Sequence, residues 1–88
     1  MALSIEQCKE MVLEFCSIYP VAAHVAFKIR NTQEELYGPE NTKEKAGTIL
    51  GAFCPEQRQA DFAASNFRDT DEFKGTLRHE VLGHFGIN

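Results

Sequence analysis

The sequence predicts an α+β fold in which an N-terminal helix, a small and mostly antiparallel three-stranded sheet and a C-terminal helix follow one another. Apolar residues recur every three or four positions near both ends of the chain, but at every second position in a segment between them. Two further strand-like runs flank a short turn sequence, which is typical of a hairpin. At 88 residues the chain has room for one small domain, so we assign residues 1–88 to a single domain.

The first helix is predicted over residues 5–19. Ser4 followed three positions later by Gln7 forms a capping box, which marks the start of a helix. Pro20 ends it. The predicted buried face consists of Ile5, Cys8, Val12, Phe15, Cys16 and Tyr19.

The next segment, residues 21–30, switches to period two and predicts a half-buried strand. His24 falls on the polar face of this strand, whereas Phe27 and Ile29 fall on the apolar face. Residues 31–45 are polar and contain a turn-forming cluster, so we expect a long connection with one helical turn near residues 33–36.

The central hairpin is predicted from residues 47–54 and 58–64, which are strand-like runs separated by Pro55, Glu56 and Gln57. The run 47–54 contains two glycines, which weaken a strand or let another part of the chain come close.

The final helix is predicted to open near Asp69, because Glu72 three positions later repeats the capping signal. Phe73, Leu77 and Val81 then recur at spacings of four and form one apolar stripe. We expect this helix to end between residues 83 and 86.

Composition argues against several classes of function. Nine basic and thirteen acidic side chains give a net charge of −4, so we expect no direct nucleic-acid binding. No apolar run approaches the roughly 20 residues that span a bilayer, so we expect no membrane contact. Three cysteines without a C-x-x-C pair suit a reducing compartment, and we expect a cytoplasmic protein with a protein or peptide partner. Assembly into a homo-oligomer stays open.

The final helix carries the candidate chemistry, because His79, Glu80 and His84 form the pattern H-E-x-x-x-H. Neutral imidazoles are zinc ligands, and a neighbouring carboxylate can take a proton from metal-bound water. We therefore select His79 and His84 as candidate ligands of Zn²⁺ and Glu80 as the candidate catalytic base.

The spacing of the two histidines needs an irregular helix. Residues five apart in an ideal α-helix point about 140° away from each other. A local π-bulge, or a helix that stops at Gly83 and lets His84 swing back, would bring the two rings together. On an unbroken helix, Glu80 and His84 are only an i, i+4 pair and the two histidines cap or pack.

The run RHEVLGHFGIN, residues 78–88, resembles the metal-binding helix of zincin-like metallopeptidases that use H-E-x-x-x-H. It is most similar to the zincin-like domains in large polyvalent proteins of phages, plasmids and integrative elements, in which the motif helix follows a β-hairpin. The resemblance implies that His79 and His84 bind metal, that Glu80 is the general base and that the ancestor was a metal-dependent peptide hydrolase.

A zincin takes its third protein ligand from beyond the motif helix, but this sequence stops four residues after His84. His24, Cys54, Asp61 and the C-terminal carboxylate are further donors without positional support. Because two ligands bind a metal weakly, we do not expect the isolated chain to catalyse hydrolysis. Either the domain is truncated at its C-terminus, or a second copy completes the site, or the motif is a relic.

Three functions stay open on the sequence alone. The leading hypothesis is a minimal or truncated zincin-like peptide hydrolase domain of mobile-element origin. The alternative is a non-catalytic mobile-element inhibitor that binds a host macromolecular complex, such as a CRISPR effector or another defence nuclease. The third is a remnant without activity.

Overall fold

Four α-helices and three strands lie within residues 2–84, which are the residues that the computed structural model describes. The last α-helix continues directly into a π-helix over Arg78–Gly83, and three short 3-10 turns occupy Pro20–His24, Pro39–Asn41 and Ala64–Asn66. The helices are α1 (Ile5–Ile18), α2 (Gln33–Tyr37), α3 (Lys43–Ala46) and α4 (Thr70–Leu77), and the strands are β1 (Ala26–Arg30), β2 (Gly51–Cys54) and β3 (Gln59–Ala63).

The sheet has the strand order β1-β3-β2. β3 pairs with β1 in parallel, with Ile29 opposite Phe62, and with β2 in antiparallel, with Phe53 opposite Ala60. The predicted α+β class is therefore confirmed, with its N-terminal helix, three-stranded sheet and C-terminal helix. The sheet is mixed rather than mostly antiparallel, because the chain crosses from β1 to the far edge before the hairpin returns β3 to the centre.

The start of α1 follows the prediction. The Ser4 hydroxyl accepts a hydrogen bond from the Gln7 backbone N–H at 3.1 Å, and the Gln7 side-chain oxygen accepts one from the Ser4 N–H at 2.8 Å. This reciprocal pair satisfies two backbone donors that the first helical turn leaves free.

The first half of the predicted strand over residues 21–30 is wrong, because Pro20–His24 forms a 3-10 turn. Proline has a fixed φ that suits the first position of a helical turn, and Ala22 is fully buried in this turn. Period two therefore holds only within β1, and His24 lies in the last turn before the strand.

The connection between β1 and β2 contains the predicted helical turn, as α2, and also α3, which was not predicted. Its organising residue is Gln33, which is 1% exposed. The Gln33 amide donates to the carbonyls of Asn41 at 2.6 Å and Gly47 at 2.8 Å, and its oxygen accepts from the Ile49 N–H at 3.0 Å and the Asn66 amide at 2.8 Å. These four hydrogen bonds tie the connection to the core.

The core lies between the sheet and the two long helices. Phe62 on β3 and Phe73 on α4 have ring centroids 5.2 Å apart, and the Phe73 and Phe67 centroids are 4.9 Å apart. The predicted stripe of Phe73, Leu77 and Val81 is fully buried, and the predicted hairpin is present as β2 and β3. Residues 85–88, including Phe85, lie outside the described residues.

Within residues 2–84, each helix is too short or too polar to cross a bilayer.

Candidate functional site

The motif residues lie where the last helix changes its hydrogen-bond register. α4 ends at Leu77, and Arg78–Gly83 forms a π-helix. A π-helix closes i→i+5 hydrogen bonds, so residues five apart come close to the same side. The irregular helix that the histidine spacing required is therefore present.

The two imidazoles converge on the carboxylate between them. The ring centroids of His79 and His84 are 6.2 Å apart. The Nε2 atom of His79 lies 3.9 Å from Oε1 of Glu80, and the Nε2 atom of His84 lies 3.9 Å from Oε2. The Glu80 side chain is 11% exposed, whereas those of His79 and His84 are 77% and 42% exposed. The structure thus groups a buried acid with two accessible imidazoles.

Gly83 is not the hinge that the sequence suggested. Its φ lies outside the left-handed region, and a Cβ atom added there meets nothing within 4 Å. The π-helical register therefore brings the rings together without a steric need for glycine at that position.

A residue of the sheet packs against the His84 ring. The Phe53 ring on β2 stacks on the imidazole with a centroid distance of 5.0 Å and an interplanar angle of 17°. This contact couples the end of the motif helix to the edge strand, and no pattern in the sequence predicts it.

A cleft of about 530 Å³ runs between the approach to β2 and the last helix, and we call it the acidic cleft. Its carboxylates are Asp71, Glu72 and Glu80, of which Glu72 also pairs with the Arg68 guanidinium at 3.3 Å. The residues lining the acidic cleft are Thr48, Ile49, Leu50, Gly51, Asp71, Glu72, Gly75, Thr76, His79 and Glu80.

The negative charge on this side of the sheet reaches Tyr37. Burial, together with the charges of Asp61 and Glu80, raises the pKa of Tyr37 to about 12. The Tyr37 hydroxyl is buried, and its geometry towards Asp61 falls short of a hydrogen bond within the described chain. The shift therefore comes first from lost solvation and then from neighbouring carboxylates.

The described residues contain no group of three or more His, Cys, Asp or Glu side chains arranged to hold a metal ion. His24 lies in the 3-10 turn before β1, and Cys54 and Asp61 lie on β2 and β3, so none joins the histidine pair as a third ligand. The roles of His79 and His84 as Zn²⁺ ligands and of Glu80 as a base stay predictions.

A second cleft lies at the opposite edge of the sheet, between α1 and β1, and has a volume of about 380 Å³. We call it the basic groove, because its charged lining residues are Lys9 and Arg30, and none of the described residues that line it is a carboxylate. The sequence did not reveal it, because its parts come from two elements whose contact is set by the fold. The residues lining the basic groove are Lys9, Val12, Leu13, Phe27, Ile29 and Arg30.

Comparison with known proteins finds a sequence similarity to one segment of a DNA primase. The chain is similar to DNA primase TraC of Escherichia coli, with 34% identity over 83 aligned residues. The similarity covers 84% of this chain and 6% of that protein, so the chain spans a small part of the curated relative it matches. No protein-family model matches the chain, and no solved structure matches it.

These findings correct the resemblance drawn from the motif. The identification as a zincin-like metallopeptidase domain, and with it the peptide hydrolase function, is wrong, because the similarity that extends over most of the chain is to a DNA primase. An inhibitor of a CRISPR effector or another defence nuclease is likewise unsupported. The zincin resemblance rested on eleven residues, 78–88, whereas the similarity to the primase covers 84% of the chain.

The expectation of no direct nucleic-acid binding, which rested on the net charge of −4, stays a prediction, because the aligned segment is only 6% of that primase.

Proposed function

We propose that the chain is a DNA-binding module related to a segment of a DNA primase. The similarity to DNA primase TraC carries this proposal, because it extends over 84% of the chain and so includes most of the domain rather than one motif. The shared segment is 6% of that protein, and we therefore propose contact with DNA and not synthesis of primers.

The distribution of charge supports this proposal despite the net charge of −4. Electrostatic interactions at physiological ionic strength are screened over about 8 Å. β1 and β2 are the two edges of the sheet and are separated by β3, so their backbones lie about 10 Å apart, slightly more than this screening length. A phosphate at the basic groove meets Lys9 and Arg30 rather than the average charge of the protein.

Fluorescence anisotropy of a labelled oligonucleotide, titrated with the whole chain, tests this proposal. Sequence-independent DNA binding has dissociation constants on the order of 10⁻⁴ to 10⁻⁶ M at physiological salt, and we expect a value in this range. If the anisotropy of both single-stranded and duplex DNA stays constant up to about 10⁻⁴ M protein, the proposal is wrong.

A second proposal concerns the histidine pair. We propose that His79 and His84 bind Zn²⁺ with low affinity, with Glu80 placed to accept a proton beside them. The convergence of both Nε2 atoms on the Glu80 carboxylate supports it, and the presence of only two imidazoles sets the low affinity.

Competition between the protein and a chromophoric chelator measures this Zn²⁺ binding. His79→Ala and His84→Ala are expected to abolish it, whereas His24→Ala is the matched control and is expected to leave it unchanged. Equal Zn²⁺ affinity in all three variants would contradict the proposal.

We also propose a cytoplasmic location. Cys8, Cys16 and Cys54 are free thiols, which is typical of proteins from a reducing compartment.

A further inference from the structure

The basic groove combines two properties that single-stranded nucleic acid recognises. It offers positive charge at its rim and apolar surface along its floor. Proteins that bind single strands use cations to follow the phosphates and aromatic rings to stack on the bases. A volume of about 380 Å³ also lies in the range of roughly 300–1,000 Å³ that is usual for small-ligand pockets.

The floor of the groove contains an aromatic ring that is held in place. Phe27 on β1 is half-buried, and its ring lies parallel to that of Phe62, with an interplanar angle of 19° and a centroid distance of 6.4 Å. Phe62 itself is fully buried. One side of the Phe27 ring is thus supported by the core, while Phe27 also lines the groove.

The α1 side of the groove adds exposed apolar surface. Leu13 is 72% exposed, which is high for a leucine in a small domain, and it lines the groove together with the buried Val12. A flat apolar ligand between Leu13 and Phe27 would remove surface from water on both of its sides.

The two cations are available to an anionic ligand. Lys9 and Arg30 are exposed and take part in none of the ion pairs found within residues 2–84. The Arg30 guanidinium donates to the Ile29 carbonyl at 3.0 Å, which holds the side chain beside the groove. Its other N–H groups can still donate to a phosphate.

We propose that the basic groove binds single-stranded DNA, with a base against Phe27 and Leu13 and the flanking phosphates at Lys9 and Arg30. This inference rests on the proposed function, and it specifies which protein surface binds the DNA and that the DNA is single-stranded. A single strand fits better than a duplex, because its unpaired bases are free to enter an apolar groove, whereas a duplex keeps its bases stacked.

Anisotropy with a labelled oligothymidine of about ten nucleotides, within the range of single-strand site sizes, tests this inference. The double variant Lys9→Gln/Arg30→Gln is expected to weaken binding at least about tenfold, because two phosphate contacts are lost. The control Lys43→Gln/Lys45→Gln removes the same charge from α3 and is expected to change the affinity less than about twofold.

A separate variant tests the base contact. Phe27→Leu keeps an apolar side chain but removes the ring, and loss of one base-stacking contact is expected to weaken oligothymidine binding about fivefold or more. Circular dichroism and the unfolding midpoint show whether this variant keeps its fold. If it does not, the exposed Lys9 and Arg30 substitutions still decide the question.

The possible results distinguish a failure of the groove proposal from a failure of the proposed DNA binding. If the wild type binds oligothymidine and the Lys9→Gln/Arg30→Gln variant loses no more affinity than the α3 control, the proposed DNA binding stands. The proposal that the basic groove is the binding surface is then wrong. Equal affinity for duplex and single strand without a Phe27 effect also overturns it. Groove variants that change the oligomeric state instead of DNA affinity would identify a self-association surface. No DNA binding by the wild type removes both proposals.

Discussion

The two edges of the sheet carry opposite charge, although they belong to one small domain. The basic groove beside β1 is lined by two cations and no carboxylate, whereas the acidic cleft beside β2 is lined by three carboxylates and His79. The difference teaches that the net charge of a chain is a poor guide to its partners when its charges are sorted by the fold.

Part of this separation of charge arises because different faces of α1 carry acidic and basic residues. Glu10 and Glu14 line a depression between α1 and α4, and the Glu14 carboxylate pairs with Lys74 of α4 at 3.8 Å. Lys9 lines the groove on the β1 side. A helix rich in acidic residues therefore still contributes a cation to a carboxylate-free surface.

The largest expected effect comes from a residue that supports both edges. Phe73→Ala removes a fully buried ring that contacts Phe62 and Phe67, and we expect the free energy of unfolding to fall by about 3–5 kcal/mol. Urea unfolding measures the change, and both DNA binding and Zn²⁺ binding should be lost together at a temperature where the variant is unfolded.

The matched control for that variant is Leu13→Ala. Its side chain is 72% exposed, so we expect a change of less than about 0.5 kcal/mol in unfolding free energy. If one binding activity survived in unfolded Phe73→Ala, the two edges would not depend on one cooperative core.

Gly51→Ala is expected to disturb both the acidic cleft, which Gly51 lines, and the basic groove, whose Phe27 ring lies against Phe62. A Cβ atom at this position would lie 2.9 Å from two ring carbons of Phe62 and 3.2 Å from the Asp61 carbonyl oxygen. Overpacking of this kind costs about 1–3 kcal/mol of unfolding free energy. We expect the unfolding midpoint to fall and the oligothymidine affinity of the folded fraction to weaken, because displacement of Phe62 also removes support from Phe27.

Gly47→Ala provides the comparison for Gly51→Ala. Gly47 has a φ of +76° and open space around it, so its substitution strains the backbone without pushing a neighbour. Gly47→Ala is expected to leave oligothymidine affinity unchanged, and an equal loss of affinity in both variants would contradict the support that Phe62 gives to Phe27 in the basic groove.

The sequence predicted the parts of this fold that depend on local signals. The capping residues Ser4 and Asp69 mark the starts of α1 and α4, because a helix start is decided within one turn of chain. The 3-10 turn Pro20–His24 was missed, since an alternating pattern there competes with the burial of Ala22 in the finished fold.

The sites were less accessible to sequence reasoning. The five-residue spacing of His79 and His84 indicated that a π-bulge was one of two ways to align them, and only the structure shows the π-helix over Arg78–Gly83. The basic groove is lined by Lys9 from α1 and Arg30 from β1, so no local sequence pattern predicts it.

Salt dependence sharpens the charge comparison. Two phosphate contacts by a single strand predict a slope of about −1.4 for log affinity against log salt, and so a roughly sevenfold weaker affinity between about 50 and 200 mM salt. The slope should approach zero in Lys9→Gln/Arg30→Gln. Asp71→Asn, on the acidic cleft, should keep the wild-type slope, and a steeper slope there would show that DNA contacts the other edge, because the variant removes a charge that repels phosphate.

The smallest expected effect tests how far the negative charge of the acidic side extends. Tyr37 has a folded-state pKa of about 12 against an ordinary value of 10.0, because of burial and then the charges of Asp61 and Glu80. The unfolded chain therefore releases this proton first as the pH rises. The stabilising contribution is complete below pH 10 and is lost progressively up to about pH 12.

Tyr37→Phe should remove this alkaline loss of stability. At neutral pH we expect little change, because the variant deletes a buried hydroxyl that has no hydrogen-bond partner within residues 2–84. At a pH of about 11 the variant should be more stable than the wild type by at most about 1 kcal/mol, since the ring is only partly buried. Burial also raises the pKa of Cys8 to about 11, but both proteins share that contribution, so it cancels in the difference. Urea unfolding of the pair across this pH range measures the effect, and parallel curves would show that folding does not raise the pKa of Tyr37.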